Sequence, residues 1–254
     1  MNKNLPPKVS IIIATFNSEK SIHEALDSVF NQAFQNWECI IIDGASKDNT
    51  IRIVKEFTQK DYRFHYISEP DKGIYDAFNK GWRIAKGEWI YYLGSDDLLL
   101  PDGLENLIKG TNTSLFDIIY GNVICQKETG EIMKSKTNGH QALPYKMLAC
   151  HQAIITKKKL IEELNGFDLC LKAYADKDFY IRAVINHQYT KFLHRDIKVA
   201  IFTLGGTSEI SIDKFKEEFR IFKKNHLPFS YLLFQITRIL WLYIKKWLHL
   251  NINI

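Results

Sequence analysis

The apolar run in "WIYYLGSDDLLLPDGL" (89–104) ends in two adjacent carboxylates, Asp96 and Asp97. Side by side, such groups raise each other's proton affinity unless solvent, a cap or a cation relieves the repulsion. Two roles suit the pair. One is a turn leading into a helix cap, which Asp and Ser both fill well. The other is a divalent-metal site. Mg²⁺ and Mn²⁺ prefer oxygen ligands and often take few protein carboxylates, with substrate phosphates supplying the rest.

The pair needs elements that hold it in place. "KVSIIIATFN" (8–17) and "WECIIIDGAS" (37–46) are short, apolar and β-branched, the pattern of strands buried on both faces. "FHYISEP" (64–70) and "EWIYYLGSDD" (88–97) are predicted as the third and fourth strands. Helical spacing lies between them. In 18–32, Ile22, Ala25, Leu26 and Val29 form a stripe with Ser18 as the expected N-cap; 47–59 and 73–87 are the next two helices. Strand–helix alternation implies right-handed crossovers and a central, mostly parallel sheet flanked by helices. Ligands on such sheets gather beyond the carboxyl ends of the strands. Thr15 and Asn17, Asp43 and Ser46, Glu69, Asp71 and Lys72, and Ser95, Asp96 and Asp97 all arrive at that edge. This convergence favours a site over a lone turn.

Beyond Asp97 the pattern is less regular. A short helix is expected in 101–110, strands in 116–126 and 131–138, and a strand and helix in 151–168. Segment 175–186 is predicted helical, with Phe179, Ala183 and Val184 buried and Asp178–Arg182 as a surface i,i+4 ion pair. The formal charge of +5 suits anionic small molecules or an anionic membrane surface. It is too small to argue for nucleic acid, and no groove-reading motif accompanies it. Cys39, Cys125, Cys150 and Cys170 are dispersed and form no C-x-x-C pair, so a reducing compartment is expected. The N-terminal segment lacks the features of a signal peptide, and the expected location is cytoplasmic.

Five segments in order, "VSIIIATFN", "IIIDGASKDNT", "EPDKGIYDAFNKG", "GEWIYYLGSDDLLLPDGL" and "GFDLCLKAYADKDFYIR", resemble the family-2 inverting glycosyltransferases. "EPDKGIYDAFNKG" is most similar to bacterial members that build cell-surface polysaccharides. The resemblance implies a GT-A nucleotide-sugar-binding fold over residues 1–210, followed by a basic amphipathic helical tail over 211–254. Thr15 and Asn17 would lie along the nucleotide, Asp43 would face the base, Asp96 would approach the ribose and Asp97 would bind Mn²⁺ or Mg²⁺. Asp176, in "ADKDF", would be the catalytic base; otherwise it is an acidic residue favoured at a helix N-terminus. The chain departs from the family pattern at Gly94, Gly44, Phe78 and Ala175, where relatives carry Asp, a carboxylate, Arg and Glu. Lys72 or Lys80 is the expected substitute for the missing Arg. His151 is either structural or a contact to the acceptor or a phosphate. Gly205 and Gly206 in "TLGGTS" either approach the diphosphate or form a plain turn.

The expected reaction is therefore metal-dependent transfer of a sugar from a nucleotide diphosphate sugar, a UDP-sugar first, to the hydroxyl of a glycan or lipid-linked acceptor. A sugar nucleotidyltransferase is the first alternative, but "ATFNSEKS" after the first strand lacks the glycine-rich loop which that chemistry uses. A non-catalytic nucleotide-sugar-binding protein is the second. In the tail, Gln235, Arg238, Lys245, Lys246 and His249 share one helical stripe and apolar residues cover the rest. That pattern suits an interfacial helix at 227–250, docked peripherally on the cytoplasmic membrane face; a helix packed on the core or on another subunit is the other option.

Overall fold

A computed structural model describes residues 6–110, 112–127, 129–133, 137–185, 187, 189–204 and 212–247. The first half alternates as the sequence predicts: β1 (Val9–Thr15), α1 (Ile22–Phe30), β2 (Trp37–Asp43), α2 (Thr50–Lys60), β3 (Phe64–Ser68), α3 (Ile74–Ile84) and β4 (Trp89–Gly94). These strands lie in the order β3-β2-β1-β4, all parallel. Their register fixes where they stop. Thr15 pairs with Asp43, Asp43 with Ser68, and Ala14 with Gly94, so the four carboxyl ends lie nearly level. Helices cover both faces, which is why β1, β2 and β4 need apolar residues at successive positions.

The second half adds β5 (Leu98–Leu99), α4 (Gly103–Ile108), β6 (Ile118–Lys127), β7 (Ile132–Met133), β8 (Ile154–Lys157), α5 (Lys158–Glu163), α6 (Ala175–Ile185), β9 (Phe192–Leu204), α7 (Ile212–Lys224) and α8 (Phe229–Trp247). β8 joins β4 antiparallel, and the sheet continues through β6 and β9 to β5. This extension carries the residues around 151 and 203 toward the end of β4. Ile221 of α7, Tyr231 of α8 and Leu227 from the turn between them enter the same hydrophobic core as the sheet.

Several local expectations are corrected. Ser18 is not the cap of α1, which begins at Ile22; the Ser18 hydroxyl instead bonds the Phe16 carbonyl and the Ser95 hydroxyl. Of 131–138, only Ile132–Met133 is strand among the described residues. Val184 is 36% exposed, whereas Lys177, Asp178 and Arg182 are buried on α6. The Asp178–Arg182 pair is not on the surface. Arg182 bonds Asp178 at 2.8 Å and the carbonyls of Leu164 and Gly166 at 2.5 and 2.7 Å, while Asn225 donates to the other Asp178 oxygen at 2.9 Å. Burial of the pair is tolerable because its remaining donors and acceptors are met. On α8 the polar stripe begins on the inner face: Gln235 is buried and bonds the Tyr145 carbonyl, and Arg238 pairs with Glu218. The side chains of Lys245 and Lys246, and His249 altogether, lie outside the described residues. No described helix is long and apolar enough to cross a membrane.

α3 packs on β1 through Gly81. A Cβ there would come within 2.5 Å of Ile12 Cγ2, on a stiff β-branched side chain buried in the sheet. Helix propensity alone would make Gly81→Ala stabilising by about 1 kcal/mol. Overpacking costs about 1–3 kcal/mol and is expected to win. Urea denaturation should show a lower midpoint for Gly81→Ala at unchanged slope; an equal or higher midpoint would contradict this packing.

Candidate active site

The sheet's strand order reverses at β1, with β2 on one side and β4 on the other, and a crevice opens at such a point. The Ser18 and Ser95 hydroxyls, 2.9 Å apart, join the two loops across it. Asp97 lies just past β4 and is 1% exposed, while Asp96 beside it faces solvent. The Thr203 amide of β9 donates to one Asp97 oxygen at 3.0 Å and the Gln152 side chain to the other at 2.6 Å. Thr203 also ties down Asp96 by donating its hydroxyl to that residue's carbonyl. Burial pushes the Asp97 carboxyl above the usual carboxylate range and Asp96 adds to this; the two hydrogen bonds and the nearby His151 act the other way. Gly94, where the family pattern carries Asp, has a physical reason: a Cβ there would strike the Asp97 carboxylate.

His151 opens a short 3-10 turn (His151–Ala153) ahead of β8. Its Nδ1 is 3.9 Å from the Asp176 carboxylate, and its electrostatic influence reaches Asp97. The ring therefore stands near both acids. Its Nε2 is buried without a hydrogen-bond partner among the described residues, and so is Thr15 Oγ1. Buried polar atoms are nearly always paired, so these two orphans at the sheet edge fit a polar ligand. Asp176, in the first turn of α6, accepts from the Tyr75 hydroxyl at 3.1 Å and from the Lys177 amide at 2.7 Å. Burial and the Asp176 charge raise the Tyr75 pKa, which keeps the phenol a donor. Phe78 stands where the family pattern carries Arg. It is buried against Tyr92, Phe167 and the His151 ring, an aromatic floor in place of a cation. Cys150 is no nucleophile: burial pushes its thiol up to about 12.

On the other side of β1, Asp43 is buried and accepts from the Ser46 amide at 3.0 Å, the Ser68 hydroxyl at 2.6 Å and the Ser46 hydroxyl. In this geometry it shapes the loop after β2. Asn17 has φ 49 and accepts from the Lys47 amide at 2.9 Å, locking the β1 loop to the β2 loop. A Cβ on Gly44 would lie 2.9 Å from Asp71, so the carboxylate missing at Gly44 is matched by one from the β3–α3 loop. Lys72 is exposed at the α3 end of that loop. Lys80 is not a substitute for the missing Arg, because its ammonium is held by Glu69 and the Pro70 carbonyl, each at 2.8 Å.

The fold thus brings Thr15, Asn17, Asp43, Lys72, Asp96, Asp97, His151 and Asp176 to one edge. Gly205 and Gly206 lie outside the described residues. Sequence reasoning missed Gln152, Thr203 and Tyr75, the donors that orient the two acids. Only adjacence to His151 and position in "GIYDAF" could have drawn attention to Gln152 and Tyr75. No group of three or more His, Cys, Asp or Glu side chains able to hold a metal occurs among the described residues. Asp97, a single buried carboxylate at a strand end, suits a hard cation that draws its other ligands from a substrate.

The profile of Glycosyl transferase family 2 matches residues 10–165. A "PGL/p-HBAD biosynthesis glycosyltransferase" from Mycobacterium bovis (strain BCG / Pasteur 1173P2) is 32% identical over 213 residues, covering 82% of each chain. Among solved structures, S. aureus TarS 1-349 in complex with UDP-GlcNAc superposes with TM-score 0.69 at 20% identity, over 84% of this chain and 65% of that one. The mannosyltransferase PcManGT from Pyrobaculum calidifontis, in complex with GDP-Man and Mn²⁺, gives 0.62 at 18% identity, over 81% of this chain and 59% of that one. At such identities the two structures speak for the fold, a GT-A sheet. The family match runs from β1 through α5 and takes in the Asp96–Asp97 pair and His151, and on that ground the chain belongs to glycosyl transferase family 2.

Proposed function

We propose that the chain is a metal-dependent inverting glycosyltransferase that moves a hexosyl group from a UDP-sugar to an acceptor hydroxyl. The observation that carries this reading is the pair of separate acids, Asp97 and Asp176, with His151 near both. Asp97 would hold Mn²⁺ or Mg²⁺, which when bound supplies Lewis-acid stabilisation of the leaving diphosphate. Thr15, Asn17, Asp43 and Lys72 would line the donor, Asp96 would approach its ribose, and the His151 nitrogen would meet a phosphate or the acceptor. Asp176 takes the acceptor's proton as the new C–O bond forms at the anomeric carbon. The bond to the diphosphate breaks on the opposite face, and the nucleoside diphosphate leaves with its electron pair. One base and one displacement give inversion. Tyr75 holds the Asp176 carboxylate in position, and a prepositioned base contributes about 10²–10⁴-fold.

The acceptor in this reading is a lipid-linked glycan of surface polysaccharide synthesis, met at the cytoplasmic face of an anionic membrane. Phe229, Leu233, Leu240, Trp241 and Ile244 on α8 are exposed, and at 100° per residue they fall on one face. Beside α8, Phe215, Lys216, Phe219, Arg220 and Leu232 line an apolar hollow of about 400 Å³. Apolar residues bordered by basic ones suit the lipid boundary.

Three outcomes test these assignments. A UDP-sugar with Mn²⁺ should raise the melting temperature of the native chain and be turned over. Asp97→Ala should lose both effects, whereas Asp176→Asn should keep the shift and lose about 10²–10⁴-fold in turnover. Wild-type turnover in either variant would refute the role given to that residue. Gln152→Leu removes a donor to Asp97 and should raise the half-saturating Mn²⁺ concentration by about 10–100-fold; an unchanged value would detach Gln152 from the metal site. For the membrane, flotation with anionic phosphatidylglycerol vesicles should recover the chain, and Leu240→Asp/Ile244→Asp should weaken binding by roughly 10-fold or more. Equal recovery of the two proteins would exclude this face.

A further inference from the structure

Two consecutive acids of α7, Glu217 and Glu218, grip the chain on both sides of Asp176. Glu217 is 7% exposed. One of its oxygens accepts the Lys172 amide at 2.8 Å, and the other accepts the Ala173 and Tyr174 amides at 2.9 and 3.1 Å. These three amides immediately precede α6, which begins at Ala175. Glu218 is fully buried and accepts Lys177 Nζ at 2.9 Å on each of its oxygens. Tyr231 and Arg238 of α8 complete its shell. From the sheet side, the Tyr75 hydroxyl is 3.1 Å from both the Ala173 carbonyl and an Asp176 oxygen.

Three successive backbone amides converging on one buried carboxylate are not needed to start a helix. A side-chain cap usually meets one or two amides, and it comes from the residue just ahead of the helix. Here the cap comes from another helix. It fixes the turn whose next residues carry the proposed base. A carboxylate on amides also makes stronger, shorter bonds than a neutral acceptor would. Lys177, pinned by Glu218, then prevents the first turn of α6 from rotating about that anchor.

We infer that Glu217 is a positioning residue for the transfer reaction: through the amides of residues 172–174 it sets the Asp176 carboxylate at the distance from the acceptor that proton removal needs. Glu218, through Lys177, sets its rotation. The inference rests on Asp176 being the base. It gives α7 a part in the chemistry through the backbone it holds. A misplacement of about 1 Å at a reacting group can cost on the order of 10²-fold in rate.

The test uses the full chain, a UDP-sugar donor with Mn²⁺, and water as the acceptor, with release of UDP as the readout. Glu217→Ala should lower kcat by about 10²-fold while calorimetric affinity for the donor stays within about twofold of wild type. Glu217→Gln keeps the shape but replaces one accepting oxygen by a donor, so it should recover part of the loss. Hydrogen exchange at the amides of 172–174 should be slow in wild type and faster in both variants. In the Asp176→Asn background, Glu217→Ala should cost nothing further, because the group it positions is gone. If Glu217→Ala fails to fold, Glu217→Gln alone decides through the same split between kcat and donor affinity. The inference is overturned by wild-type kcat in folded Glu217 variants, by donor affinity falling in step with kcat, or by fast exchange at 172–174 in wild type. Normal turnover in Asp176→Asn would instead overturn the base assignment, and this inference with it.

Discussion

A negative charge buried at the end of β4 constrains most of what surrounds it. The Asp97 carboxylate is nearly inaccessible, next to a second acid, and raised in proton affinity by its burial. A carboxylate in that position is costly unless donors and a counter-charge meet it. The donors come from far away in sequence. Thr203 reaches it from β9 and Gln152 from the turn before β8, so the mixed second half of the sheet has to exist before the acid can sit where it does. Gly94 is part of the same constraint, since the carboxylate fills the space a side chain would take. In the proposed reading, a cation that arrives with the substrate supplies the counter-charge.

The second acid is held by a different logic. Asp176 keeps some access to solvent and owes its place to hydrogen bonds at the start of α6, with Tyr75 on one side and the α7 glutamates behind. Under it, Phe78, Tyr92 and Phe167 pack as an aromatic floor that also seats His151. Polar groups fixed in advance on a rigid apolar base need little rearrangement as charge shifts between acceptor and leaving group. The exchange of the family's Arg for Phe78 fits this design, because a buried cation there would compete for the same acids.

The parallel half of the sheet was legible because a strand buried on both faces has no choice but a continuous apolar run, and "VSIIIAT" and "WECIIID" are such runs. Their polar endings, from Thr15 to Asp97, identified the edge for the same reason. The groups that orient the acids were not legible. Gln152, Thr203 and Glu217 have no distinctive spacing, and they act through tertiary contacts to segments about 45 to over 100 residues away. Asp178–Arg182 illustrates the boundary: the i,i+4 spacing predicted the pair, but only the packing of α6 against α7 and the 164–166 turn explains why it is buried. The tail likewise shows its amphipathic period in sequence, while the inward bonds of Gln235 to Tyr145 and of Arg238 to Glu218 depend on tertiary packing.

The most direct test of the central claim, that Asp97 completes a cation site only together with a diphosphate, is an electron paramagnetic resonance titration of free Mn²⁺ with the protein, with and without UDP. The expected result is little loss of the free-ion signal with protein alone, a sharp loss when UDP is added, and no such loss for Asp97→Asn. Equal Mn²⁺ uptake with and without UDP, or uptake by Asp97→Asn matching wild type, would contradict it.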